Sequence, residues 1–188
     1  MGSRIRRAVL ALLIPCSFPG AAQATSPGIG SGRAVAFPAA GHSYLLTAPP
    51  GWIFDEKGEL PGMPRRVFRP AGTSLNPPPV ATASYFAAAA GMEAFVEAEL
   101  AHFRAANPRA VVQAHPDLKT RWGMRIAIHS FREDRHGHSG WIGDISAPQG
   151  VIQIVMRVPS GDGQALEGAF AALAKSCVWL KADLIPAR

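Results

Sequence analysis

The sequence predicts an α+β domain, an antiparallel β-sheet with helices packed on it. Three observations carry that expectation. Apolar residues recur at helical spacing between Met92 and Phe103, then alternate with a period of two from Ala110 to Val158. Short turns join the alternating stretches, and connections that short make neighbouring strands antiparallel. Gly and Pro number 19 and 17 among 188 residues. That is about a fifth of the chain, which favours short elements and turns over a helical bundle. With 48% hydrophobic residues the chain can bury a core, and its length suits one domain.

The first element is a predicted secretory signal at residues 1–24. Arg4, Arg6 and Arg7 precede the apolar run from Ala8 to Ile14, followed by Pro15, Pro19, Gly20 and the small-residue site Ala22-Gln23-Ala24. Charged, apolar and A-x-A segments in that order predict cleavage near Ala24 and a periplasmic or secreted location. Arg6-Arg7-Ala8-Val9-Leu10 partly resembles a twin-arginine motif, but Ile5 stands where Ser or Thr is usual, so Sec export fits better. Pro15 directly before Cys16 is a poor lipoprotein box. Three of the 19 basic residues leave with the signal, so 16 face 13 acidic ones in the mature chain. The pI near 10.0 is then mostly an export feature, and no nucleic-acid partner is expected. No later apolar run approaches the ~20 residues that span a bilayer, so no transmembrane segment is expected in the mature chain.

Residues 25–42 carry Gly, Ser and Pro without periodicity and read as a flexible leader, leaving 43–188 as the domain. Ser43–Thr47 reads as a strand, and Pro49-Pro50-Gly51 turns the chain into a second at Trp52–Phe54. Arg65–Arg69 and Val80–Ala88 are further strands between Pro-rich loops. Met92, Phe95, Val96, Leu100 and Phe103 form the apolar stripe of a helix. Its acids Glu93, Glu97 and Glu99 lie early and Arg104 late, as the macrodipole favours, and Asn107-Pro108 ends it. Four strands follow at about 110–118, 124–133, 138–147 and 150–158, with turns at 121–123, 134–137 and 148–149. A last helix begins near Asp162 and aligns Leu166, Phe170, Leu173 and Cys177. Trp179 and Leu180 read as a terminal extension.

The strand running into Pro50-Gly51-Trp52, the helix opening Met92-Glu93-Ala94-Phe95-Val96, the hairpins after it and a C-terminal helix ending in Ser176 resemble the Mog1/PsbP-like superfamily. The resemblance covers most of residues 43–180 and points to an exported, bacterial-type member. It implies a small α-β-α sandwich and a binding, assembly or accessory role. It brings no shared catalytic set, so no functional residue is carried over. Gly91 at the helix start departs from the Ser or Thr expected of a cap.

Several residues invite chemistry. His129, His136 and His138 raise the alternative of a small metal-dependent enzyme or hydrolase. If 134–137 is a turn, His129 and His138 stand about 13 Å apart at ~3.3 Å per residue, too far for one ion. Gly137-His138-Ser139-Gly140-Trp141 lacks the last Gly of a nucleophile elbow and falls in a hairpin. No phosphate-binding glycine loop is present, and no cofactor is expected. Arg65, Arg66 and Arg69 offer a second alternative, contact with anionic lipid, although 15 Arg against 4 Lys and 33 Ala reflect a biased composition. Cys177 reads as a buried hydrophobe, with an intermolecular disulfide as the alternative. Asn76-Pro77-Pro78-Pro79 reads as a stiff connector or a displayed polyproline segment.

Strand register gives the candidate site. Pairing 133 with 138 and 147 with 150 puts Met124, Ile126, Ile128, Trp141, Ile145, Ile152, Ile154 and Met156 on one face, the core face. The other face then carries Arg125, His129, Asp144, Gln153 and Arg157. The plain reading is a solvated sheet surface with an ordinary ion pair. The functional reading is a polar binding surface, with Arg125 and Arg157 receiving a small anionic ligand or a protein partner.

Overall fold

The structure is a computed structural model that describes residues 32–39, 41–56, 66–72, 78–133, 137–159 and 163–180. Among them are ten strands: β1 (Ala34–Ala39), β2 (His42–Thr47), β3 (Trp52–Asp55), β4 (Val67–Pro70), β5 (Val80–Ala87), β6 (Val111–Lys119), β7 (Arg125–Arg132), β8 (His138–Ala147), β9 (Gly150–Pro159) and β10 (Val178–Leu180). Two α-helices accompany them, α1 (Gly91–Ala106) and α2 (Glu167–Lys175). The strands form a three-stranded sheet, β1-β2-β10, and a seven-stranded sheet, β3-β4-β5-β9-β8-β7-β6. The fold is α+β and its strand pairs are antiparallel.

Turn length sets the register of the central hairpins. Ile126 pairs with Ile145 and His129 with Ile142, while Trp141 pairs with Met156 and Asp144 with Gln153. These are the pairings the sequence predicts. The turn residues Asp134, Arg135 and His136 lie outside the described residues. On the first face, Ile126, Ile145, Ile152, Ile154 and Met156 are fully buried. Phe37, Tyr44 and Leu46 from the small sheet and Phe170, Leu173, Ala174 and Cys177 from α2 and its end close over them. Each such side chain contributes about 1.5–3 kcal/mol. Two glycines in β8 permit the close approach. A Cβ on Gly143 would stand 2.8 Å from the Phe170 ring, and one on Gly140 would collide with the Met156 carbonyl oxygen and the Phe131 ring.

The second face is covered in part by α1. Met92 packs on Ala127 and Val151, with Phe95 and Val96 beside them. Phe95 meets Phe86 of β5 at 5.2 Å between ring centroids, and Phe103 meets Phe131 of β7 at 5.2 Å. The helix has no side-chain cap at its N-terminus, as Gly91 foretold. The expectation of a solvated outer face is therefore corrected: the apolar stripe of α1 needs a surface, and this face supplies it.

Three boundaries differ from the sequence reading. The expected leader to residue 42 contains β1, whose Phe37 stacks on Tyr44 at 5.2 Å. Pro38 obscured that strand, and it is tolerated because β1 is an edge. Trp179 and Leu180 belong to β10, which pairs with β2, and Trp179 stacks on His42 at 5.1 Å. Helix α2 starts at Glu167 after a 3-10 turn at Gln164–Leu166, and the expected start at Asp162 lies outside the described residues. Ser176 joins the small sheet to the helix: its hydroxyl donates to the Leu173 carbonyl (2.6 Å) and accepts from the Thr47 amide (2.9 Å).

Candidate functional site

A groove of about 430 Å³ runs between α1 and the β6–β7 hairpin on the second face. Its existence follows from side-chain size. Ala114 and Ala127 occupy strand positions beneath the helix where larger residues would fill the space. The aromatic pairs Phe86–Phe95 and Phe103–Phe131 meanwhile fix α1 to the sheet on both sides. Met92, Val96 and Leu100 form the helical wall, and Glu93, Glu97, Arg104, Asp117 and Arg125 supply its charges. The groove is apolar within and carries both signs of charge around it.

Arg125, predicted as an anion receptor, is held by two carboxylates. Its Nε donates to Asp117 and its Nη1 to Glu93. Both acids stabilise the guanidinium charge, Asp117 more than Glu93. The side chains are half-exposed or more, so these ion pairs contribute little to stability. His129 stands in the groove lining, and its Nδ1 is buried with no hydrogen-bond partner among the described residues. Burial first, then the Arg104 charge and His115, lower its pKa from the usual value, which keeps the ring neutral at pH 7. The His115 ring turns to the first face, bonding Ser130 Oγ at 2.8 Å and packing on Trp141 at 5.0 Å.

Asp144 lies one strand further in and is 1% exposed. Gln153 Nε2 donates to its Oδ1 at 3.0 Å, the cross-strand partnership that register predicts. Burial pushes its pKa up to about 6; the Gln153 hydrogen bond opposes this and Glu99 adds to it. Arg125 does not reach down to Asp144 but engages Asp117 and Glu93 at the rim.

Arg157 is separated from this cluster. It pairs with Gly140 and Val80, whereas Arg125 stands at the opposite end of β7, across from Lys119. Six rungs of sheet, about 20 Å at ~3.3 Å per residue, separate their levels, so the two guanidinium groups do not converge on one anion. The paired-arginine receptor is corrected on that ground.

The alternatives also meet specific geometry. His138 Nδ1 lies 3.8 Å from Glu133 Oε2, and His129 is four rungs away on β7. His136 lies outside the described residues. Among the described residues no three His, Cys, Asp or Glu side chains gather as a metal site would require. Arg69 Nε pairs with the buried Asp55 at 3.0 Å, and Arg66 lies 5.2 Å over the Phe37 ring while donating to the Ala36 carbonyl. The Arg69 guanidinium is thus engaged within the fold, whereas Arg66 remains exposed at the surface; Arg65 lies outside the described residues. Cys177 is fully buried, and burial pushes its thiol up to about 12, so the intermolecular disulfide does not fit the folded chain.

Sequence reasoning missed Glu93, Arg104 and Asp117 as groove residues. Asp117 was hidden by an irregularity in pairing between His115 and Leu118. Beyond it the parity of β6 changes, and simple alternation assigns the wrong face.

No family model matches the sequence, and no curated protein matches it. Two solved structures are similar to the chain in outline. One is the solution structure of cyanobacterial PsbP (CyanoP) from Synechocystis, with 14% identity, a TM-score of 0.48, and coverage of 82% of this chain and 96% of that one. The other is a crystal structure from Bacteroides thetaiotaomicron, with 18% identity, a TM-score of 0.43, and coverage of 79% of this chain and 48% of that one.

Proposed function

We propose that the protein is an exported, non-catalytic binding or accessory protein of the cell envelope, and that it holds its partner in the groove between α1 and the β6–β7 hairpin. The observation that supports this reading is the groove's make-up. Apolar walls of Met92, Val96, Leu100 and Ala127 suit an apolar side chain of a partner, and the surrounding charges of both signs suit polar groups flanking it. The lining includes carboxylates, His115 and His129 but neither Ser, Cys nor Lys. A protein segment fits better than a small anion, because the Arg125 charge is already paired with Asp117 and Glu93.

The test compares the mature protein with an Ala114→Leu variant, which fills the groove from an exposed strand position, and an Arg125→Ala variant, which opens its rim. Capture of a partner from the envelope fraction is expected with the native chain and lost with Ala114→Leu, while melting temperatures stay close. Retained capture in both variants refutes the site. A mature N-terminus at Thr25, read by intact mass from a periplasmic fraction, is the matching expectation for export; Met1 retained on a cytoplasmic protein refutes that part alone.

A further inference from the structure

The β6–β7 hairpin ends in Thr120-Arg121-Trp122-Gly123-Met124, and its turn is held from within. Thr120 Oγ1 accepts from the amides of Trp122 (3.3 Å) and Met124 (3.1 Å). The Thr120 amide donates to the Met124 carbonyl (2.9 Å) and the Gly123 amide to the Thr120 carbonyl (3.0 Å). Gly123 takes the left-handed φ of +81° that this closure requires. On this braced turn Trp122 is 72% exposed. The other tryptophans are buried or half-buried, so an exposed indole here is a departure from the rest of the chain.

Its surroundings are cationic. Lys119 and Arg121 flank it in the hairpin, and the Arg121 amide donates to the Lys175 carbonyl (3.3 Å), bringing the last turn of α2 alongside. All three cations are exposed, and none has an acidic partner within 4.0 Å among the described residues. The carboxylate of the same hairpin, Asp117, is engaged by Arg125.

We propose that this tip is a peripheral contact with an anionic lipid surface, in which Trp122 seats at the headgroup level and Lys119, Arg121 and Lys175 meet lipid phosphates. An indole combines an apolar body with one N–H donor and favours the interface between lipid and water. Cations beside it are drawn to anionic headgroups. A protein hot spot is ordinarily ringed by further apolar contact surface, whereas Trp122 stands among cations and a glycine. The contact is superficial, since no helix among the described residues is long and apolar enough to cross a membrane.

Co-sedimentation of the mature chain with phosphatidylglycerol–phosphatidylethanolamine vesicles, and with pure phosphatidylcholine vesicles, tests this. Binding to the anionic vesicles alone is expected, weakening roughly tenfold between low and high salt. The vesicles should shift tryptophan emission to the blue, because Trp52 and Trp141 are already buried. Trp122→Ser should abolish that shift and cut affinity roughly tenfold, as loss of the interfacial anchor would. Replacing Lys119, Arg121 and Lys175 with Gln should remove the preference for anionic lipid, with the melting temperature unchanged in both variants. Absence of vesicle binding at low salt overturns the proposal, as does binding that survives both variants. Capture of polyglutamate without capture of vesicles also overturns it, since the surface would then be one for acidic protein.

Discussion

Beneath α1, a carboxyl group with 1% exposure ties stability to pH. Burial disfavours the Asp144 charge and pushes its pKa up to about 6 in the folded chain. In the unfolded chain it titrates near the usual ~3.9. The folded state therefore holds the proton more tightly, and the group's contribution favours folding at low pH and is lost as pH rises through about 6. A difference of about two pH units corresponds to roughly 3 kcal/mol. Asp144→Asn keeps an oxygen to accept from Gln153 and carries no charge. It is expected to raise stability by ~1–3 kcal/mol at pH 8 and to change little at pH 4, read from denaturant unfolding at both values. An equal effect at the two pH values overturns the assignment. The partnership of Asp144 with Gln153 and the placement of His129 were legible from strand parity alone. The engagement of Arg125 was not, because one acid comes from α1 and the other from within an irregular pairing in β6.

At the scale of elements, the sequence was most legible where turns were short. Two-residue and four-residue connections leave a hairpin few registers, so β7, β8 and β9 pair as expected. It was least legible where the pairing partner lies far along the chain. Val178–Leu180 has no local signal as a strand, and only docking on β2 makes it one. The packing of α2 on β8 also depends on an absence that hydrophobic patterning does not register, the missing Cβ of Gly143. Gly143→Ala would place a methyl 2.8 Å from the Phe170 ring, forcing the ring or the helix outward. The expected cost is about 1–3 kcal/mol, as for overpacked cores. Chemical denaturation checks it, and Phe170→Leu should recover part of the loss by making room. A neutral Gly143→Ala would mean that α2 sits more loosely than its burial indicates.

For the whole molecule, two different layers enclose one sheet: α1 lies on one face, and α2 with the small sheet on the other. The groove belongs to the thinner side, where α1 alone covers the strands and leaves Ala114 and Ala127 under space. The small sheet has a further consequence, and it concerns time. Its middle strand, β2, is among the first described elements to leave a ribosome, and β10 is the last. The Ser176 hydroxyl and the Thr47 amide that fasten them are 129 positions apart in sequence. Closing a loop of that length comes late, whereas the β7–β8–β9 meander needs only neighbours. Pulse-labelled amide exchange during refolding should therefore protect Ile128, Ile142 and Ile154 before Leu45 and Trp179. Simultaneous protection would show that both sheets condense together. In a chain with this order of assembly the small sheet acts as a latch: the meander can form first, but β2 stays without its second partner until β10 arrives.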